Sequence, residues 1–139
     1  MSAAFALGLQ RAVYDRLLAD GEVAALADGC VYDAPPELPV EAMPVDYVTL
    51  GEEVVRPFAT KTSLGAIHDF VVTVHSNRDG FERAKRIASA ICAALIDAPL
   101  GLEAGVLVGL RFLRAKAERG PAPEKRRISL RFRAVVDED

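Results

Sequence analysis

The sequence predicts an α+β fold, a mainly antiparallel five-stranded sheet with two helices packed on one face. Three observations carry this. Apolar residues recur at helical spacing in two stretches, Ala3–Asp20 and the segment from Phe81 to Leu95. They alternate with polar residues in three others, Ala66–Ser76, Val106–Phe112 and Ile128–Val136. Two shorter β-prone runs, Cys30–Asp33 and Asp46–Val55, flank a proline-rich connection. The 139 residues form one domain, 1–139, with enough chain to bury a core without disulfides or metals.

The first helix is read from Phe5, Leu9, Val13 and Leu17, with Gly21 as its stop and Val23–Ala27 as one further turn. Strand one is Cys30–Asp33. Pro35, Pro36 and Pro39 cannot donate to a ladder, so the chain to Pro44 is an extended surface connection. Strand two is Asp46–Val55, and Arg56–Gly65 is a polar excursion. Strand three, Ala66–Ser76, sets Phe70, Val72 and Val74 on one face and Asp69, Thr73 and His75 on the other. Ser76-Asn77-Arg78-Asp79 has capping-box spacing ahead of the second helix. That helix has Phe81, Ala84, Ala88, Ile91, Cys92 and Leu95 on its apolar side, and Asp97-Ala98-Pro99 closes it. Val106, Val108, Leu110 and Phe112 then alternate in strand four, and Ile128, Leu130, Phe132, Ala134 and Val136 in strand five. Residues 118–124 form the hairpin loop between them. The second sheet face carries Thr49, Asp69, Thr73, His75, Arg111, Arg131 and Arg133, too polar for another helix layer.

Charge is unevenly distributed. Residues 1–53 hold ten acids and two bases, whereas residues 111–139 hold nine bases and five acids, within a net charge of −3. Either this is solvated surface, or neighbouring copies meet acid to base in a head-to-tail ring. The apolar runs are far shorter than the roughly 20 residues of a membrane helix. No basic segment precedes the first apolar residues, so a chain that is cytoplasmic when made and has no membrane partner is expected.

Chemistry-bearing groups are sparse. Cys30 and Cys92 make no disulfide framework and no metal set, leaving buried structural thiols or a redox role. His68 and His75 are seven residues apart on one strand, hence on opposite faces. A triad of His75, Asp69 and a serine is conceivable but rests on coincidence. Glu52-Glu53 reads as solvated charge. No phosphate-binding loop or nucleophile elbow is present, so no catalytic residue, metal or cofactor is expected. The basic stretch Arg111–Arg133 could touch phosphates, but aromatic residues for base stacking are few.

The order of these elements, with Val31-Tyr32-Asp33-Ala34-Pro35, Pro44-Val45-Asp46-Tyr47-Val48-Thr49-Leu50-Gly51 and Asp69-Phe70-Val71-Val72-Thr73-Val74-His75-Ser76, resembles the phage tail-terminator (tail-completion) family of long-tailed phages and gene transfer agents. The helix end Ala93–Leu100 continues the likeness, which spans essentially the whole chain. The resemblance implies a structural protein with no catalytic residues. It implies a hexameric ring of this chain at the head-proximal end of the tail tube. Such a ring stops tube polymerisation, contacts the tail tube protein and the neck or stopper protein, and lets DNA pass through its lumen without specific recognition. The protein would then end up in the tail of the virion or gene transfer agent particle. The candidate interface residues, read from loops and edges, are Phe58, Thr60, Lys61, Thr62, Arg111, Arg131 and Arg133. The alternative is a small cytoplasmic enzyme or ligand-binding domain using the polar sheet face.

Overall fold

The computed structural model describes residues 3–59, 64–120 and 125–138. Its elements are α1 (Ala6–Ala19), α2 (Gly21–Ala27), β1 (Val31–Tyr32), β2 (Asp46–Ala59), β3 (Leu64–Ser76), α3 (Glu82–Leu95), β4 (Val106–Glu118) and β5 (Arg126–Asp137). A short 3-10 turn, Val40–Ala42, lies between β1 and β2. The fold is α+β around a five-stranded sheet of order β1-β2-β3-β5-β4.

Two features of the expected architecture are corrected. The sheet is mixed, because β1 runs parallel to β2, with Val31 opposite Val48 and Tyr32 opposite Thr49. The physical reason is the connection 33–45. It is too long and too proline-rich for a tight turn, and it carries the chain back along the sheet as a parallel pair requires. There are also three α-helices, not two, among the described residues. Asp20 leaves helical geometry at φ −74°, ψ 121°, and its carboxylate accepts from the Val23 amide at 3.0 Å. Asp20 therefore breaks the first helix and caps the next, and Gly21 begins α2 where the sequence suggested a stop.

The β-strands pair as two long antiparallel hairpins, β2–β3 and β4–β5, joined through β3–β5. Their 12–14 residues reach well past the expected ends. Arg56–Ala59 continue β2, and Leu64 and Gly65 open β3, so most of the supposed polar excursion is ladder. Gly65 lies so close to β5 that a Cβ there would strike the backbone of Val136 and Asp137.

All three helices cover one sheet face. Helix α1 contacts β1 and β2, α2 contacts β2, and α3 spans β3, β5 and β4. The predicted stripes reach the core: Phe5, Leu9, Val13 and Leu17 from the amino-terminal helix region, Ala84, Ala88, Ile91 and Leu95 from α3. Ile87, Ala90 and Ala94 are buried as well, because α3 is wedged between the sheet and α2 and has two apolar sides. Phe70, Val72 and Val74 and all five alternating residues of β5 face this core, as the pattern predicts.

Strand β4 departs from the expected alternation. Register shifts lie between Leu107 and Gly109 and between Phe112 and Arg114. Leu107 packs against the core while Val106 and Val108 are 50% and 60% exposed. Gly105, at φ +81°, opens the strand where a Cβ would lie 2.8 Å from the Val136 side chain. The capping box is likewise not formed. Helix α3 begins at Glu82 with no side-chain cap, Ser76 Oγ donates to Asp46 at 2.7 Å, and Asp79 pairs with Lys125 at 2.9 Å.

Phe132 is fully buried, with ring centroids of Phe70 and Phe112 at 5.6 and 5.9 Å. Phe132→Ala should cost about 3–5 kcal/mol through lost transfer energy and the cavity left behind. Urea unfolding followed by circular dichroism measures it. A loss near zero would mean that this cluster is not the core.

Candidate assembly surface

The face of the sheet away from the helices is where charge accumulates. Cross-strand register sets Arg111 opposite Arg133 and Arg114 opposite Arg131. Like charges directly opposite each other destabilise a sheet by up to roughly 1 kcal/mol relative to neutral pairs. Arg114 and Lys116 join this face because the bulge after Phe112 turns even-numbered residues outward from there on. The alternation rule, applied without that bulge, misses both.

Two carboxylates pair with bases of this array: Glu118 lies 3.1 Å from Lys116 at the end of β4, and Asp69 sits among the arginines. Asp69 on β3 accepts Nε of Arg133 at 2.7 Å on Oδ1 and Nη2 at 2.9 Å on Oδ2. Arg56 Nη2 lies 3.9 Å away. The forked hydrogen bonds from Arg133 hold the Asp69 carboxyl below its ordinary value. Partial burial opposes this, and the charges of Arg133, Arg56 and Arg131 reinforce it. Asp69 reciprocally raises Arg133. Arg111 and Arg114 make no ion pair among the described residues.

The other sequence-predicted candidates are placed differently. Arg111 is exposed, and Arg131 and Arg133 are half-buried on the same face. Phe58 is half-buried near the far end of β2, in a surface depression with Phe5, Pro57 and Leu64. It is not beside the arginines. Thr60, Lys61 and Thr62 lie outside the described residues.

Both histidines serve packing, on opposite faces as expected. His75 is buried, stacked on Tyr47 at 4.5 Å and 8°, and hydrogen-bonded to Thr49 Oγ1 at 2.8 Å. His68 is fully buried on the helix side, its Nδ1 2.7 Å from Glu53 Oε2. Glu53 reaches it because a bulge between Leu50 and Glu53 turns Glu53 onto the core face opposite Phe70. Glu53 is thus a structural partner and not the solvated charge that its sequence neighbourhood suggests. A triad is not assembled: Asp69 is committed to Arg133 and His75 to Thr49. Six residues along a strand separate them by about 20 Å. Burial raises the Cys92 thiol above its ordinary value, which suits a packed side chain better than a reactive thiolate. Among the described residues no group of three or more His, Cys, Asp or Glu could hold a metal ion. No helix among them is long and apolar enough to cross a membrane.

The acids of the first third occupy the opposite side. Asp15, Glu22, Asp28, Glu37 and Glu41 are exposed on α1, α2, the α2–β1 junction and the β1–β2 connection, and none enters an ion pair among the described residues. Helix α1 packs on β1 and β2, and β1 is one edge of the sheet while β4 is the other. The charge asymmetry of the sequence is therefore an asymmetry of the two sheet edges.

The family model described as "Tail completion protein gp17" matches residues 11–137. The chain belongs to the tail completion family. Among solved structures, it is similar to a chain of the virion of a native gene transfer agent (GTA) particle, at 48% sequence identity and a TM-score of 0.88. That match covers 98% of this chain and 99% of the other. No curated protein sequence matches. The tail completion family and the virion match give the chain a structural role in a phage-like tail.

Two outcomes follow from the geometry. Asp69→Asn should destabilise the protein by about 1–3 kcal/mol near neutral pH, since Arg133 loses its charged partner. Because the native carboxyl titrates below its ordinary value of 3.8, its contribution is complete above that value and is lost as pH falls through the lower native one. Denaturation between pH 2 and 7 should show the variant's deficit shrinking only in that acid window. A deficit independent of pH would mean that the ion pair contributes nothing. His75→Ala, which removes a buried stacked ring, should cost about 1–3 kcal/mol in urea unfolding, and a loss near zero would mean that the stacked ring does not contribute to packing.

Proposed function

We propose that this tail completion protein forms a closed ring, of six copies, at the head-proximal end of a tail tube. There it ends tube polymerisation and presents a surface to the neck or stopper protein of the head. DNA crosses the lumen without sequence recognition. The chain assembles in the cytoplasm and remains in the finished particle. The observation that carries this reading is the near-complete match to a gene transfer agent virion chain at 48% identity, taken with the family match over residues 11–137. The physical chemistry supports it from a second side. A ladder of like charges relieved only at Arg133 by Asp69, with exposed acids toward the other edge that make no ion pair among the described residues, costs the isolated chain stability, and such local conflict is expected where a partner relieves it. Arg111, Arg131 and Arg133 belong to that ladder. Phe58, near the far end of β2, is offered to the tube or the neck, and Thr60, Lys61 and Thr62, outside the described residues, are further candidate contacts.

Deleting the gene tests the role. Electron microscopy should then show tailless heads alongside separate tubes without a uniform length. Complete particles of normal tail length in the deletion strain would contradict it. Replacing Thr60, Lys61 and Thr62 together with alanine, glutamate and alanine should leave folded protein, by circular dichroism, and separated heads and tails. Normal joining would remove this segment from the interface.

A further inference from the structure

We infer that the surface which receives the basic β4–β5 face is the acidic corner of a second copy of this chain, built from α1 and the β1–β2 connection. The inference rests on the ring reading above and deepens it by naming the two surfaces that meet.

The argument begins with the sheet. Its second face is uncovered, and toward the β4 edge it is basic: Arg111 and Arg114 are exposed, and each faces another arginine across the strand. Asp69 neutralises Arg133 but leaves the rest of the ladder unanswered. Among the described residues no further strand lies outside β4, so its backbone and the exposed Val106 and Val108 line the same edge. At the far edge β1 is only two residues long, and Asp15 on α1, which packs on β1, and Glu37 and Glu41 in the β1–β2 connection are exposed. A basic face cannot dock on its own copy, because that would oppose like charges. A two-fold dimer through either surface is therefore disfavoured, and acid-to-base contact between copies is heterologous. Heterologous contacts repeat around a ring or along a filament, and closure needs only the right rotation. Phosphates of a nucleic acid could also satisfy the arginines, but they would give the acidic corner no role. A second copy satisfies both with one contact.

Two variants test this. One carries Arg111→Glu and Arg114→Glu; the other carries Asp15→Lys, Glu37→Lys and Glu41→Lys. Each alone presents like charges at every contact. Mixed in equal amounts, the reversed face of one variant meets the reversed corner of the other and native meets native, so strict alternation is allowed. In pull-downs with one tagged copy at about 50 mM salt, the two variants should bind each other and neither should bind itself. The binding should fade at about 500 mM, where the Debye length shrinks to a few ångströms. Thermal melts confirm that both fold. Absence of variant-to-variant binding up to millimolar protein, or self-binding by either variant equal to wild type, would overturn the inference. Binding of the wild-type face to a DNA duplex, lost in the arginine variant while copy-to-copy binding is unchanged, would overturn it in favour of phosphate contact.

Complementation of the deletion strain separates this from failure of the ring reading. Either variant alone should cut particle yield to about a hundredth of wild type, and both together should recover it to within about tenfold. If the deletion strain makes normal particles yet the variants still bind only each other, the contact stands and the tail-end role falls. If the deletion abolishes particles and each variant alone restores them, the role stands and the contact falls.

Discussion

Strand β3 is the constraint on which the rest depends. It is the central strand, hydrogen-bonded along its whole length to β2 on one side and β5 on the other. Its pleat decides what each neighbour presents. Phe70, Val72 and Val74 point toward the helices and set Val48, Leu130 and Phe132 into the same layer. Asp69 points the other way and draws Arg133 and Arg56 around it. A one-residue slip of β3 would exchange these sets, burying Asp69 and exposing Phe70, so the register is held by both faces at once.

The consequence is a sheet with two unlike sides. The covered side accounts for stability: α1, α2 and α3 deliver Leu9, Leu17, Val23, Ile87 and Leu95 onto it. The uncovered side concentrates charge that the isolated chain neutralises only in part, at Asp69 and Glu118. Ordering the strands β1-β2-β3-β5-β4 then sends the acidic beginning and the basic end of the chain to opposite edges. A linear charge gradient in the sequence thereby becomes a polarity in space, which suits a subunit that must meet its neighbours always in the same direction. Exposed ion pairs are worth roughly 0–1 kcal/mol each, so such contacts select orientation and partner more than they supply affinity.

Much of this was legible in the residues. Helical spacing located α1 and α3, and alternation assigned β3 and β5 face by face. What escaped came from three local devices that periodicity cannot show. Asp20 acts as break and cap together, which split the first helix. The bulge at Gly51-Glu52 turned Glu53 inward to His68, and the paired bulges of β4 inverted its alternation at Val106 and Val108 and again at Arg114. Bulges add one residue and leave no compositional mark, although glycines at 51 and 109 stand beside two of them. The parallel pairing of β1 depended on where a long connection returns, a tertiary matter. Among the interface candidates, the shared sheet face of Arg111, Arg131 and Arg133 was legible because face follows from alternation. Arg114 and Lys116 were missed for want of the bulge. His75 looked like surface because its polarity hid the Tyr47 ring that buries it.

The most direct measurement is a cryo-electron microscopy reconstruction of intact particles in which this chain is traced at the junction of head and tail. The expected density is a closed ring at the end of the tube, the β4–β5 face of each copy against the α1 and β1 corner of the next. Finding the chain elsewhere in the particle, or finding Arg111 and Arg114 turned away from every neighbouring copy, would contradict the central claim.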